Sequence, residues 1–205
     1  MTPLKTILTT ALLASNLTAF AAPTTYQPGN YSIDPAHSKV GFEVPHLVIS
    51  TVEGRFGKID GKITLASDFE KSKVTASAET ASVDTGVKDR DDHLRSPEFF
   101  DAKKFPQLKL VSNSIKGKPE SFQMIADLTI KGITQKVTFD GKYLGTAKDA
   151  YGNEKAAFTA TAKINRKDFG LTWSKVVEVG PVVGDEILIE LKIQSAKVQE
   201  TQKKN

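Results

Sequence analysis

SFQMIADLTIKGITQKVTFDG, residues 121–141, is the stretch that decides the fold class. Phe122, Met124, Ala126, Leu128 and Ile130 recur at every second position. A period of two places one set of side chains on a single face of an extended strand. Lys131-Gly132 breaks the run, and Val137 and Phe139 pair back before Asp140-Gly141. Two alternating runs joined across a Gly-containing break predict a β-hairpin.

Outward from this hairpin the same pattern repeats. On the N-terminal side, Val40, Phe42 and Val44 alternate with Lys39, Gly41 and Glu43, and Val52, Gly54 and Phe56 alternate with Glu53, Arg55 and Gly57. Before them Tyr31-Ser32-Ile33 begins a first strand that Asp34-Pro35-Ala36-His37 breaks, and Asp60-Gly61 predicts a tight turn or bulge after residues 52–57. Val74, Ala76 and Ala78 share one face of a further strand. Small side chains there leave room that a solid core would fill. Leu108 and Leu110 precede a turn at Lys116-Gly117-Lys118-Pro119. On the C-terminal side, Phe158, Ala160, Ala162 and Ile164 mix large and small, and Ile187, Ile189, Leu191 and Ile193 form the last strand. About eight strands joined mostly by short links predict an all-β, up-and-down antiparallel barrel. A barrel of that size holds a side-chain core or one small ligand.

One segment does not alternate. TGVKDRDDHLRSPEFFDAKKFP, residues 85–106, carries dense charge and two prolines. Asp84 or Thr85 is placed to cap a short helix running to about Arg95, and Ser96-Pro97 to open a second helical turn ending near Asp101. Phe99, Phe100 and Phe105 give the segment an apolar underside, and Arg90, Asp91, Asp92, His93 and Arg95 a polar side. It reads as a helical lid over one end of the barrel. Its charges serve either as a salt-bridge network holding the lid or, through Arg90, His93 or Arg95, as contacts to a polar ligand head.

Composition narrows the field further. There are no cysteines among the 205 residues, which removes disulfides, thiol nucleophiles and thiolate metal sites. Basic and acidic residues are interspersed, with a formal charge of +4, so nucleic acid is not an expected partner. Lys5, the apolar run 7–20 and Ala19-Phe20-Ala21 read as a signal peptide cleaved after Ala21. The run is short for a membrane span, which needs about 20 residues. The expected organisation is a signal peptide (1–21), a lead-in (22–30), one barrel domain (31–197) and a polar tail (198–205).

Six motifs in order make the chain resemble a known family. They are DPAHSKVGFEVPHL (34–47), VEGRFGKIDGKI (52–63), the lid segment (85–106), DLTIKGITQKV (127–137), INRKDFGL (164–171) and VGDEILIEL (183–191). Together they closely resemble the YceI family of exported, lipid-binding, lipocalin-like barrels. The resemblance implies an extended eight-stranded barrel whose tunnel holds a long isoprenoid or similar amphiphile. It also implies a periplasmic or secreted location and dimers among its members, while passing contact with an anionic membrane surface is compatible with the mild excess of positive charge. The role of Trp173 stays open.

If the barrel is hollow, its lining is drawn from Val40, Phe42, Val44, Phe56, Val74, Ala76, Ala78, Phe122, Met124, Leu128, Phe158, Ala160, Ile189 and Leu191. Plain core packing is the competing reading of each, because a one-residue slip reverses a strand's faces. A packed, ligand-free interaction protein is accordingly the alternative to a lipid binder. An enzyme is a weaker reading. The sequence has no G-x-S-x-G, H-E-x-x-H or phosphate-loop pattern, and His37, His46 and His93 are too scattered to form a metal site by spacing. Asp91, Asp92, Glu98 and Asp101 are better placed for capping than for catalysis. No cofactor is implied.

Overall fold

The computed structural model describes residues 26–177 and 180–199. The expected signal peptide and the end of the polar tail lie outside them. Eleven strands hydrogen-bond into one antiparallel sheet that closes on itself. They form eight staves, because three staves near the N-terminus are each broken once. β1 (Gly29–Ile33) and β2 (Lys39–His46) make the first, β3 (Ser50–Phe56) and β4 (Ile59–Leu65) the second, and β5 (Lys73–Glu79) and β6 (Val83–Asp84) the third. After the helix α1 (Lys88–Arg95) come β7 (Gln107–Lys118), β8 (Ser121–Ile130), β9 (Ile133–Lys148) and β10 (Glu154–Asn165). A two-stranded ribbon, β11 (Val176–Val177) and β12 (Gly180–Pro181), precedes the last stave, β13 (Glu186–Lys197). Each stave pairs with the next in sequence, and β13 closes the barrel on both β1 and β2. The expected up-and-down barrel is the observed architecture.

The breaks have local causes. Asp34 accepts from the Ala36 N–H and from the His37 ring, which turns residues 35–37 into a 3₁₀ turn between β1 and β2. The second stave bends at Gly57–Lys58, where the Gly57 N–H donates to Ser82 and the Lys58 N–H to the Ser82 hydroxyl. The turn expected at Asp60-Gly61 therefore falls three residues earlier. Those residues lie inside β4, where Gly61 lets β5 approach so closely that a Cβ would meet Thr75 O at 2.7 Å. Nor does β9 stop at Asp140-Gly141, since it continues to Lys148.

The lid segment is helical over less of its length than expected. Neither Asp84 nor Thr85 caps α1, whose N-cap is Val87 with no side-chain bond. Instead Asp91 reaches back from inside the helix, and its Oδ1 accepts from the Thr85 N–H (2.9 Å) and hydroxyl (2.6 Å). Residues 96–104 form successive turns rather than a second helix, with the Phe99 and Asp101 N–H groups both bonded to Ser96 O. Phe100 is buried against Phe56, so the apolar underside does face the barrel.

The up-and-down topology sorts the connections onto two ends. One end carries the β4–β5 loop, the β7–β8 and β9–β10 turns, and residues 26–28 and 198–199, where the described chain begins and stops. There Tyr26, Phe69, Phe122 and Tyr143 meet edge-on at 5.2–5.7 Å and fill the bore. The other end carries the β2–β3 tip, the lid segment, the β8–β9 turn and the long segment between β10 and β13.

Candidate functional site

Between the aromatic floor and the lid lies a cavity of about 580 Å³. Its wall is the inward face of the staves. Cross-strand neighbours such as Val40 and Phe56, Phe42 and Ile189, or Ala160 and Leu191 stand side by side on it. Two of its rings lie flat because their cross-strand partners are glycines. A Cβ on Gly54 would sit 2.2 Å from the Phe42 ring, and one on Gly141 would sit 2.4 Å from the Phe122 ring. Glycine at these positions lets each ring lie against the neighbouring strand's backbone.

All fourteen residues named from the alternation face this cavity: Val40, Phe42, Val44, Phe56, Val74, Ala76, Ala78, Phe122, Met124, Leu128, Phe158, Ala160, Ile189 and Leu191. Phe56, Ala78, Met124 and Leu128 are fully buried. Val40, Phe42, Val74, Ala76, Phe122, Phe158, Ala160, Ile189 and Leu191 are only partly buried although they point inward. Packed cores leave few voids larger than a water molecule. Inward apolar side chains that keep exposed area mark a hollow barrel.

The three residues considered for a ligand head divide. Arg90 and His93 border the cavity, whereas Arg95 does not. Arg95 is a latch instead. It donates to the Ala81 (2.8 Å) and Val83 (2.7 Å) carbonyls and to Asp92 (2.9 Å), which ties α1 to β6. Bonds from Lys88, then from Arg95, hold the Asp92 carboxyl below the ordinary carboxylate range. Arg90 donates to the Thr85 hydroxyl (2.7 Å) and carbonyl (2.9 Å), which uses part of its five-donor fork. The His93 ring lies 2.5 Å from Glu98 and edge-on to both Phe99 and Trp173. The lid's charges thus hold it in place, as one of the two sequence readings has it, although hydrogen bonds to Thr85 and to backbone outnumber ion pairs.

Sequence reasoning missed the other half of this end. Trp173 lines the cavity and bridges the lid to the segment before β13 through His93 and Phe99. Arg166 is the pin that makes this bridge. Its side chain is 4% exposed, and it donates to the carbonyls of Leu171 (2.5 Å), Trp173 (2.7 Å) and Gly184 (2.9 Å) and to Asp185 (2.9 Å). Bonds from Lys167 and the nearby Arg166 hold Asp185 below its usual range. The signal was an arginine inside INRKDFGL, a motif with Ile164, Phe169 and Leu171 around it and Gly170 in the left-handed region. Lining residues Pro45 and Asp89 at this end are exposed, so the cavity meets solvent here. This end is the mouth.

The barrel, its floor and its pinned mouth cover the span that the YceI-like domain model matches, residues 31–195. The chain belongs to the YceI-like family. Among its relatives is a UPF0312 protein of Serratia proteamaculans, 37% identical over 91% of this chain and 94% of the relative. The Protein YceI of Salmonella newport is 36% identical over 83% and 87%. Solved structures agree with the fold. The Campylobacter jejuni YCEI protein superposes with a TM-score of 0.65 at 31% identity, covering 81% of this chain and 96% of that one. A polyisoprenoid-binding domain from Saccharophagus degradans superposes with a TM-score of 0.60 at 13% identity, covering 82% and 98%. At that identity the likeness is one of fold alone.

Proposed function

We propose that the protein binds a long-chain isoprenoid or similar amphiphilic lipid inside the barrel and carries or stores it, without catalysis. The observation that supports this most is the set of inward apolar side chains left partly exposed around about 580 Å³. An apolar cavity of roughly 150 Å³ holds one benzene, so this one is on the order of four such rings in size. Each CH₂ transferred from water is worth about 0.8 kcal/mol, up to about 4 kcal/mol for a five-carbon unit. A charge-assisted hydrogen bond to a head group adds about 1.5–3 kcal/mol. The tail would dominate affinity and the head would set orientation, with Arg90 and His93 the groups at the mouth to meet it. The name of the Saccharophagus degradans domain and the YceI-like membership point the same way. In this reading residues 1–21 direct export to the periplasm.

Mass spectrometry of organic extracts from the purified protein tests the proposal. A stoichiometric prenyl lipid, or its uptake on incubation, is expected. Ala76 and Ala160 face the bore beside Gly61 and Gly141, so Ala76→Phe and Ala160→Phe should each block uptake while the barrel stays folded by circular dichroism. Protein that carries no lipid and takes none up would leave the packed-barrel alternative standing.

A further inference from the structure

The β2–β3 hairpin ends in a turn whose residues are wrong for its backbone. Its central residues, Leu47 and Val48, both have positive φ, +52° and +65°, and the Ile49 N–H bonds back to His46 O. Three residues, Leu47, Val48 and Ile49, connect the paired His46 and Ser50, and at a positive φ a Cβ, above all a branched one, is strained. The same rim holds an internal control. The β8–β9 turn has the same backbone signs, +50° and +80°, and is built from Lys131-Gly132, with glycine where the first turn has valine. The β2–β3 turn also exposes what it strains. Val48 is 68% and Ile49 84% exposed.

We infer that this tip is a membrane prong that seats the mouth of the barrel on a neutral lipid bilayer. The hairpin that bears it also lines the cavity through Val44 and Val52. Its base is held to the segment before β13 by the Leu47 N–H to Val182 O bond (3.1 Å) and the Gly184 N–H to Pro45 O bond (2.8 Å). The tip therefore stands on a fixed support beside the opening. It projects two residue pairs and a three-residue loop past Val44 and Val52, roughly 7 Å for the pairs at about 3.3 Å per residue with the loop beyond them. That matches the roughly 5–10 Å to which amphipathic elements enter the headgroup–acyl boundary. VPHLVISTV, residues 44–52, contains no Asp, Glu, Lys or Arg. The first charges on either side, Glu43 and Glu53, are cross-strand partners and would repel an anionic surface. A second copy of the chain is a poorer occupant. Three side chains on a convex turn offer far less than the roughly 800 Å² per partner of a stable interface.

The inference rests on the lipid-binding reading for its purpose, and one experiment separates the two. Flotation with phosphatidylcholine vesicles compares the purified protein with Val48→Gly/Ile49→Ser, and the lipid content of both is measured on the same preparations. Neither side chain lines the cavity, and Val48→Gly relieves the turn. The variant is expected to keep its lipid and its melting temperature and to lose vesicle binding on the order of tenfold or more. Ile49→Ser alone leaves the turn's central residues untouched and should give a smaller loss in the same direction. Equal flotation of variant and parent overturns the prong, as does a parent that does not float or a tip-dependent dimer by sedimentation. Protein free of lipid that still floats through the tip would sink lipid carriage and keep the prong.

Discussion

The two ends of the barrel are closed by different forces. The floor is aromatic: Tyr26, Phe69, Phe122 and Tyr143 pack edge to face, an arrangement worth about 0.5–1.5 kcal/mol per pair beyond the area it buries. Its hydroxyls are paired, Tyr143 with buried Thr146 and Tyr26 with the Ala66 carbonyl, and beside it the Tyr31 hydroxyl and Lys197 both donate to Glu154. The mouth has its rings too, His93, Phe99 and Trp173, but what fixes them is the Arg166 fork on backbone carbonyls. Rings fill the space they stabilise. A guanidinium bonded to backbone can hold long segments together without filling the space beneath them, and an end that admits a ligand needs that.

The largest test removes the pin. Arg166→Met keeps most of the side-chain volume and strips the donors from the Leu171, Trp173 and Gly184 carbonyls while leaving Asp185 without this partner. A hydrogen bond to a charged group is worth about 1.5–3 kcal/mol, and Arg166 makes its bonds to the Leu171, Trp173 and Gly184 carbonyls. Urea unfolding should show a loss of that size, with the fluorescence of Trp173, the sole tryptophan, changing before the far-ultraviolet signal of the staves. A loss below about 1 kcal/mol would mean that the mouth is held by its rings, as the floor is, and the contrast would fall.

Next in size is the pair of turns on the rim. Gly132→Val puts a branched residue at φ +80° and its Cβ 2.6 Å from the Phe105 ring, so it should cost at least the roughly 1–3 kcal/mol of a strained backbone. Val48→Gly makes the reverse change. Relief of similar strain is partly offset by about 0.4–1 kcal/mol of added chain entropy in the unfolded state, leaving a small gain. Thermal unfolding of both variants checks the signs. If Val48→Gly destabilises, the valine is held by packing and its exposure has been misjudged.

What the sequence made legible follows from the same contrast. Regular alternation on β2, β5, β8, β10 and β13 exposed the bore, because period two survives wherever a strand pairs without interruption. It failed where an extra residue enters. Leu108 and Leu110 point inward, yet past the register shift at Asn113 the inward residue is Ile115. A similar shift at Leu144 moves the inward set from Tyr143 to Thr146. Nothing in a one-dimensional pattern marks such bulges. Small residues at Ala76 and Ala160 did announce a hollow interior. Arg166 and Trp173 were invisible as parts of the mouth because each acts on backbone or rings far away in sequence. Arg95 stayed open between holding the lid and meeting a ligand head for a related reason, since its carbonyl partners on Ala81 and Val83 are set by the fold and not by the charge pattern of the helix.

The smallest effect is electrostatic and belongs to the floor. Burial, then the hydrogen bond to Glu154, pushes the Tyr31 phenol above the ordinary tyrosine range. Burial also raises Tyr26. A group whose folded value is raised lends its stability fully below its unfolded value, about 10 for tyrosine, and loses it as pH rises beyond that. Glu154 behaves oppositely. Bonds from Lys197, then from Tyr31, lower it, so its contribution is present above about pH 4.3 and lost as pH falls through its folded value. Tyr31→Phe removes the first group and one cause of the second. At neutral pH it should cost about 1 kcal/mol for the lost hydrogen bond. The gap between parent and variant in thermal unfolding should then narrow above pH 10 and again in acid, with Tyr26 keeping part of the alkaline slope. A gap that stays constant across both limbs would mean that Tyr31 serves the floor as a ring alone, and that the bonds to Glu154 add nothing to it.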